Sequence, residues 1–444
     1  MKGKKLLAGI LSAAMAIGTL MLPVFADDNV QTVSLSSEKE FQTIRDEITD
    51  YTSDTVTYEI TGKVTVDENS EWVNILNPNA KNVGNVKTVN FVGKDKDAEI
   101  YIKSSPSALT WQGQALNVNY DSLTLSATPG YGSDFAHVTY YFSTELRCGN
   151  ANDCMVTYNE CVFPNGSCNN QYGKTAYNDC TFKNSNDGYY SLWVYTGVDK
   201  NGVSTGAVTV TGGTMEAARG VKAYTENATG AAKTDISLKN IKIKATNKPA
   251  VVASVAGTIR LENVDASEAK GVLYSDIQAN KGQKELANIV LNGKNVEYAA
   301  KANNQYFISV DDAKKNASSE NIITLNLACD MQTDSGYYMD GETKYGMMRF
   351  MFKTNPTGKV LKSGIKYINA KDIAKSVTAV TADNSDVFQG DIIEIPETVS
   401  GDNKYYAKAF VTTAEDTFWS EEIYCSVNWN KYFKNYQPTT GGAK

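Results

Sequence analysis

The chain has 444 residues, with 43 Lys and Arg against 50 Asp and Glu, a single His and 7 Cys. That length exceeds one small core and calls for two domains or an elongated repeat array. A net charge of −7 without a basic cluster argues against nucleic-acid binding, and one histidine, His137 in "FAHVTYYF", nearly excludes His-rich metal sites and His-based triads.

Lys2, Lys4 and Lys5 precede an apolar run from Leu6 to Leu22 and the ending Val24-Phe25-Ala26. A basic start, an apolar stretch and a small-residue end predict a cleaved secretory signal over 1–26. Loss of its three lysines takes the net charge to about −10. No later stretch is apolar for the ~18 residues a membrane span needs. The tail "NYQPTTGGAK" carries no sorting motif, so retention at a surface is expected to be non-covalent. Residues 27–54 read as a capping segment. Within "SSEKEFQTIRDEI", Ser37 and Glu40 make a capping-box signature, and Phe41, Ile44 and Ile48 share one helical face. This predicts an amphipathic helix over 38–49, covering the edge of the strands that begin with "TVTYEITGKVTV" at 55–66.

A repeated line follows. V-T-Y-N-E-C-V-F starts at Val156 and nearly recurs as "TAYNDCTF" from Thr175. Relatives start at Val118, Val208, Ile236, Ile259 and, more weakly, Ile289. Apolar residues two apart indicate strands with one buried face. The central pair, such as Asn159-Glu160 or Asn178-Asp179, suits a sharp left-handed bend. Strand, bend and strand at intervals of 19 to 38 residues predict a β-solenoid in which Cys161 lies over Cys180 and Phe163 over Phe182. The longest interval, between Val118 and Val156, leaves room for an unrecognised turn. A second series, Val194-Tyr195-Thr196, Ala223-Tyr224-Thr225, Val252-Ala253-Ser254 and Leu273-Tyr274-Ser275, reads as another face with its middle residues in line.

These lines resemble the right-handed, single-stranded parallel β-helix of pectate-lyase-like proteins, over 55–305. The resemblance implies an all-β fold and not an activity, because this architecture hosts lyases, hydrolases, adhesins and passive stalks. Residues 306–320 read as a linker. From 321 to 430, short alternating strands predict a β-sandwich. There Tyr405, Ala407, Ala409 and Val411 share a face, as do Ile423, Cys425 and Val427. That pairing resembles the final strands of a fibronectin-III or Ig-like module. "YGMMRF" and "YYAKAFV" together look like the terminal sandwich of bacterial surface proteins from Gram-positive anaerobes. Residues 431–444 read as a flexible tail.

Cys329 and Cys425 are a candidate disulfide, with two buried thiols as the alternative. The five cysteines from Cys148 to Cys180 read equally as stacked thiols or bridges, and the odd total leaves at least one thiol unpaired within a monomer. The candidate ligand surface is aromatic: Tyr189, Trp193, Tyr195, Tyr224 and Tyr274 point outward if Leu192 and Val194 point in. The plainer reading is that Tyr is simply a good strand residue. Glu160 and Asp179 form a candidate carboxylate pair one coil apart, against the simpler reading as solvated turn residues. No metal or cofactor is expected. The sequence therefore reads as a secreted or cell-surface, non-enzymatic adhesin that displays a glycan- or protein-binding face. The alternative is a polysaccharide lyase or glycoside hydrolase of the same fold.

Overall fold

A computed structural model describes residues 30–66, 73–74, 85–103, 108–112, 116–127, 141–147, 153–184, 187–318 and 322–325, and strands between 329 and 428. The predicted signal, His137 and the tail lie outside these residues.

The protein is all-β with long parallel sheets. The first sheet stacks strands in chain order: Val30–Leu35, Thr55–Ile60, Thr88–Gly93, Asn117–Asp121, Met155–Asn159, Lys174–Asn178, Ala207–Thr211, Thr234–Lys239, Gly257–Glu262 and Ala287–Leu291. The second runs, also in chain order, from Lys63–Val66 to Lys242–Ala245. The third contains Ser167–Cys168, Tyr190–Tyr195, Arg219–Tyr224, Val251–Ala253 and Leu273–Ser275. From Lys174 to Glu262 the chain passes from first to second to third sheet and returns one strand further along, a path compatible with a parallel β-helix.

All seven repeat starts fall in first-sheet strands, in register. Val118 pairs with Val156, Val156 with Thr175, Thr175 with Val208, Val208 with Ile236, Ile236 with Ile259 and Ile259 with Ile289. Asn117–Asp121 pairs directly with Met155–Asn159, so no first-sheet strand lies between them. Three further strands, starting at Val30, Thr55 and Thr88, precede the repeat. Val30–Leu35 pairs in parallel with Thr55–Ile60 inside the segment read as a cap.

The bends are uniform. Ser122, Glu160, Asp179, Asn240 and Asn263 all have φ between 50° and 55°, and Gly212 takes the same position at 70°. Gly213 follows at φ 79°, where a Cβ would collide with the Cys180 carbonyl. The weak last rung diverges: Asn292-Gly293 closes a hairpin, and Lys294–Val296 runs antiparallel to Ala287–Leu291. Asn-Gly suits such a two-residue turn because both residues tolerate positive φ.

Inside, like shapes stack. Phe91, Tyr120, Tyr158 and Tyr177 form a column with successive ring centroids 5.1, 5.0 and 4.9 Å apart. Phe163 lies on Phe182 at 5.1 Å and 12°. Each such pair contributes about 0.5–1.5 kcal/mol beyond area burial. The Tyr120 hydroxyl reaches Thr144 Oγ1 at 2.8 Å and that of Tyr177 reaches Ser167 Oγ at 3.0 Å, so these buried phenols are hydrogen-bonded. Outside, amide ladders tie neighbouring strands: Asn178 Nδ2 donates to Asn159 Oδ1 at 2.8 Å and Asn119 Nδ2 to Asn90 Oδ1 at 2.9 Å.

The predicted helix is present as Glu38–Glu47, followed by a short 3-10 turn over Ile48–Asp50. Its capping box of Ser37 and Glu40 is formed, and Phe41, Ile44 and Ile48 are buried. Within the expected linker over 306–320, residues 306–307 and 310–316 carry regular structure. Ala300–Ala302 and Gln305–Phe307 form a hairpin, and Val310–Asn316 is a helix capped by Ser309. Ile323–Thr324 also pairs with this hairpin, at Ala300 and Lys301. Beyond it lie two antiparallel sheets. One orders Cys329–Asp340, Thr343–Thr354, Val387–Ile395 and Lys375–Thr378. The other joins Lys362–Tyr367, Asp402–Thr412, Thr417–Trp419 and Ile423–Asn428, with Tyr405 opposite Cys425 and Ala407 opposite Ile423. Cys329 and Cys425 thus belong to different sheets, and their side chains lie outside those described.

Candidate ligand cleft on the third sheet

The strand Tyr190–Tyr195 alternates as its sequence demands. Leu192 and Val194 are fully buried, while Trp193 and Tyr195 turn outward and are half-buried. Tyr195 pairs with Tyr224. Tyr274 does not continue that line. It pairs with Val252, which pairs with Lys222, which pairs with Trp193. Ala253 pairs with Ala223 and Ser275 in an inward column. The tripeptide alignment therefore slips by one residue at Ala253 and by a second at Tyr274, which keeps the outward face but joins the Trp193 line. Loops of unequal length hide such a slip, and a slip of one exchanges the two faces of a strand.

The hairpin and helix at 300–316 cover part of the expected stripe. Tyr190, Val252 and Tyr274 are buried in a cluster with Ala300, Ala302, Phe307, Ala313 and Ile322, and Trp193 packs at its margin. Tyr274 is only 5% exposed, with Phe307 at 5.7 Å between centroids. Tyr189 precedes the strand, half-buried and edge-on to Tyr141 at 6.2 Å.

What remains open is a cleft of about 510 Å³, a usual size for a small-ligand site. The sheet contributes Trp193, Lys222, Tyr224 and Ser254. The segment after Leu273–Ser275 adds Asp276, Ile277, Gln278 and Asn280. The hairpin tip adds Asn303, Asn304, Gln305 and Tyr306. Asn303 and Asn304, at φ 49° and 65°, form the two-residue turn that brings this tip together. The rings of Trp193 and Tyr224 lie 5.2 Å apart at 56°.

The polar groups are held in place. Gln278 Nε2 donates to the Thr225 carbonyl at 2.9 Å. The Tyr224 hydroxyl donates to Glu226, whose carboxylate also pairs with Lys281. Burial, with the Glu226 carboxylate next in effect, pushes the Tyr224 phenol up to about 12. Lys222 Nζ donates to Ser254 Oγ. Burial pulls the Lys222 ammonium down to about 8; Asp276 opposes that shift, and Lys248 and Arg219 reinforce it. Arg219 lies over the Tyr190 ring at 5.5 Å and Lys248 near that of Tyr274 at 6.0 Å.

The carboxylate pair is elsewhere. Glu160 and Asp179 occupy the bends between the first and second sheets, both at φ 50°, and neither lines the cleft. Asp179 packs its carboxylate against Gly212. Cys161 and Cys180 occur in succession along the same interior and are free and buried, as is Cys168, while Cys154 is disulfide-bonded. Among the described residues no cluster of three His, Cys, Asp or Glu could hold a metal ion, and no helix is long and apolar enough to cross a membrane.

No family model, curated protein or solved structure matches this chain. The cleft is therefore read from its own residues. Sequence reasoning found Trp193 and Tyr224 through strand alternation. It missed Lys222, Ser254, Asp276 and the hairpin tip, because only folding brings four separate segments together. The one available signal was "ANNQYF", where Asn-Asn between short strands marks a tight turn.

Proposed function

We propose that this is a secreted or cell-surface, non-enzymatic ligand-binding protein of the adhesin type. In this reading the parallel sheets form a right-handed β-helix, the hand that parallel crossovers take almost without exception. The two antiparallel sheets after residue 329 form a fibronectin-III or Ig-like β-sandwich, and the ligand is a host or polymeric glycan. The observation that carries the reading is the pair Trp193 and Tyr224. Two half-buried rings, 5.2 Å apart and ringed by amide side chains, offer apolar faces beside hydrogen-bond donors and acceptors. Sugars need that mixture, because a pyranose has apolar C–H faces and a polar hydroxyl edge. The site stands on a stacked sheet, which holds it rigid and lowers the entropy cost of binding.

The test is a glycan array followed by titration of the best ligand. Tyr224→Ala and Trp193→Ala should each weaken binding about tenfold or more, the usual cost of truncating an aromatic anchor. Unchanged affinity in both variants, with the strand circular dichroism intact, would remove the cleft as the site.

One observation favours a second reading, a polysaccharide lyase or glycoside hydrolase. An amine drawn down to about 8 is available as a proton acceptor near neutral pH. Unsaturated-uronate absorbance or reducing-sugar release that is abolished by Lys222→Gln would establish it in place of the first.

A further inference from the structure

We propose that the cleft takes an acidic saccharide whose carboxylate sits on Lys222, and that binding is switched off by deprotonation of this lysine. The inference rests on the glycan-binding reading above and specifies its ligand class.

Lys222 is the only cation among the residues lining the cleft. An ammonium has three N–H donors, and Ser254 Oγ takes one. Among the described residues no carboxylate stands within ion-pair distance of Lys222. The charged groups whose fields it feels are Arg219 and Lys248, which share its sign, and Asp276, which opposes it. Two like charges and one opposite charge leave the ammonium short of anionic partners in a partly desolvated place. A sugar carboxylate supplies what is missing: one full negative charge and acceptors for the two remaining donors. The neutral groups from the other elements complete the fit. Tyr306 and the amides of Asn303, Asn304 and Gln305 face the cleft without adding charge that would repel an anion.

The proton linkage has a definite sign. In the free protein Lys222 loses its proton near pH 8. A bound carboxylate favours the charged amine and raises that value. Affinity is therefore full below about pH 8 and falls roughly tenfold per pH unit above it, until the complex itself deprotonates. The Tyr224 phenol, held at about 12, keeps its proton throughout this window.

The experiment uses the full chain and matched pairs of oligosaccharides: oligogalacturonate, hyaluronate hexasaccharide and sialyllactose, each beside its carboxyl-reduced counterpart. The expected result is binding of at least one acidic member and a loss of about tenfold to a hundredfold for its reduced partner, the worth of a charge-assisted hydrogen bond. Lys222→Gln should erase that preference. Lys222→Arg should retain it and also remove the decline between pH 7 and pH 9, because a guanidinium does not titrate there. Equal binding of acidic and reduced members overturns the inference and leaves the glycan-binding reading standing. So does a pH profile that is unchanged in Lys222→Arg. Binding of no member of any pair overturns both.

Discussion

Glu160 and Asp179 show what a bend asks of the residue that makes it. Two carboxylates one coil apart invite an acid–base reading, but each sits in the left-handed region at φ 50°. A residue with a Cβ pays about 1–2 kcal/mol there, which glycine avoids. Glu160→Gly should therefore raise stability by about 1 kcal/mol, measured as the urea midpoint, and leave ligand binding unchanged. A loss of stability, or of binding, would show that the side chain does more than complete a bend. Cys161 and Cys180 are likewise free and buried in the interior. Burial, and the closeness of Cys180, raise the Cys161 thiol well above its ordinary value, which suits a small apolar packing group and not a nucleophile.

At the level of the element, the aromatic column ties each rung to the next. Burial raises the phenols of Tyr120, Tyr158 and Tyr177 well above their ordinary range. A group that holds its proton more tightly when folded stabilises the fold below its unfolded value, and that contribution is lost as pH rises. Stability should therefore decline above pH ~10, with phenolate absorbance and loss of strand circular dichroism appearing together. Phenols that titrate normally while the strands persist would contradict the packing described for this column. The capping helix follows the same logic at the other end of the hierarchy. Phe41 stacks at 5.9 Å on Phe91, which Tyr58 also meets at 5.4 Å, so the helix packs onto the first rings of the column.

Across the whole molecule, stability is expected to be a sum of neighbour contacts along the stack, as in other repeat architectures. The hairpin and helix at 300–316 are a separate layer outside the third sheet, with their own small cluster around Phe307. Phe307→Ala should cost that layer about 3–5 kcal/mol. Limited proteolysis should then cut between 300 and 318 while the parallel sheets keep their circular dichroism. Because Asn303 to Tyr306 line the cleft, the same variant should also weaken ligand binding. Uniform loss of all structure would mean that the layer and the stack unfold as one unit.

The amino-acid sequence by itself determined the rungs. Apolar alternation and the bend residues placed all seven repeat starts in one sheet and in register, and put Phe163 on Phe182. The capping box, too, was written in four consecutive residues, Ser37 to Glu40. Such features are local, or repeat at short range, so periodicity and steric preference suffice to specify them. Only the tertiary structure assembles the cleft. Whether Tyr274 faces solvent depends on a register set by loops whose lengths the pattern does not constrain, and on a hairpin that returns from residue 300 to cover it. Lys222 is an unremarkable strand lysine until Ser254, Asp276 and the Asn303–Tyr306 tip surround it. Its lowered affinity for a proton is a property of that enclosure, which no single stretch of chain contains.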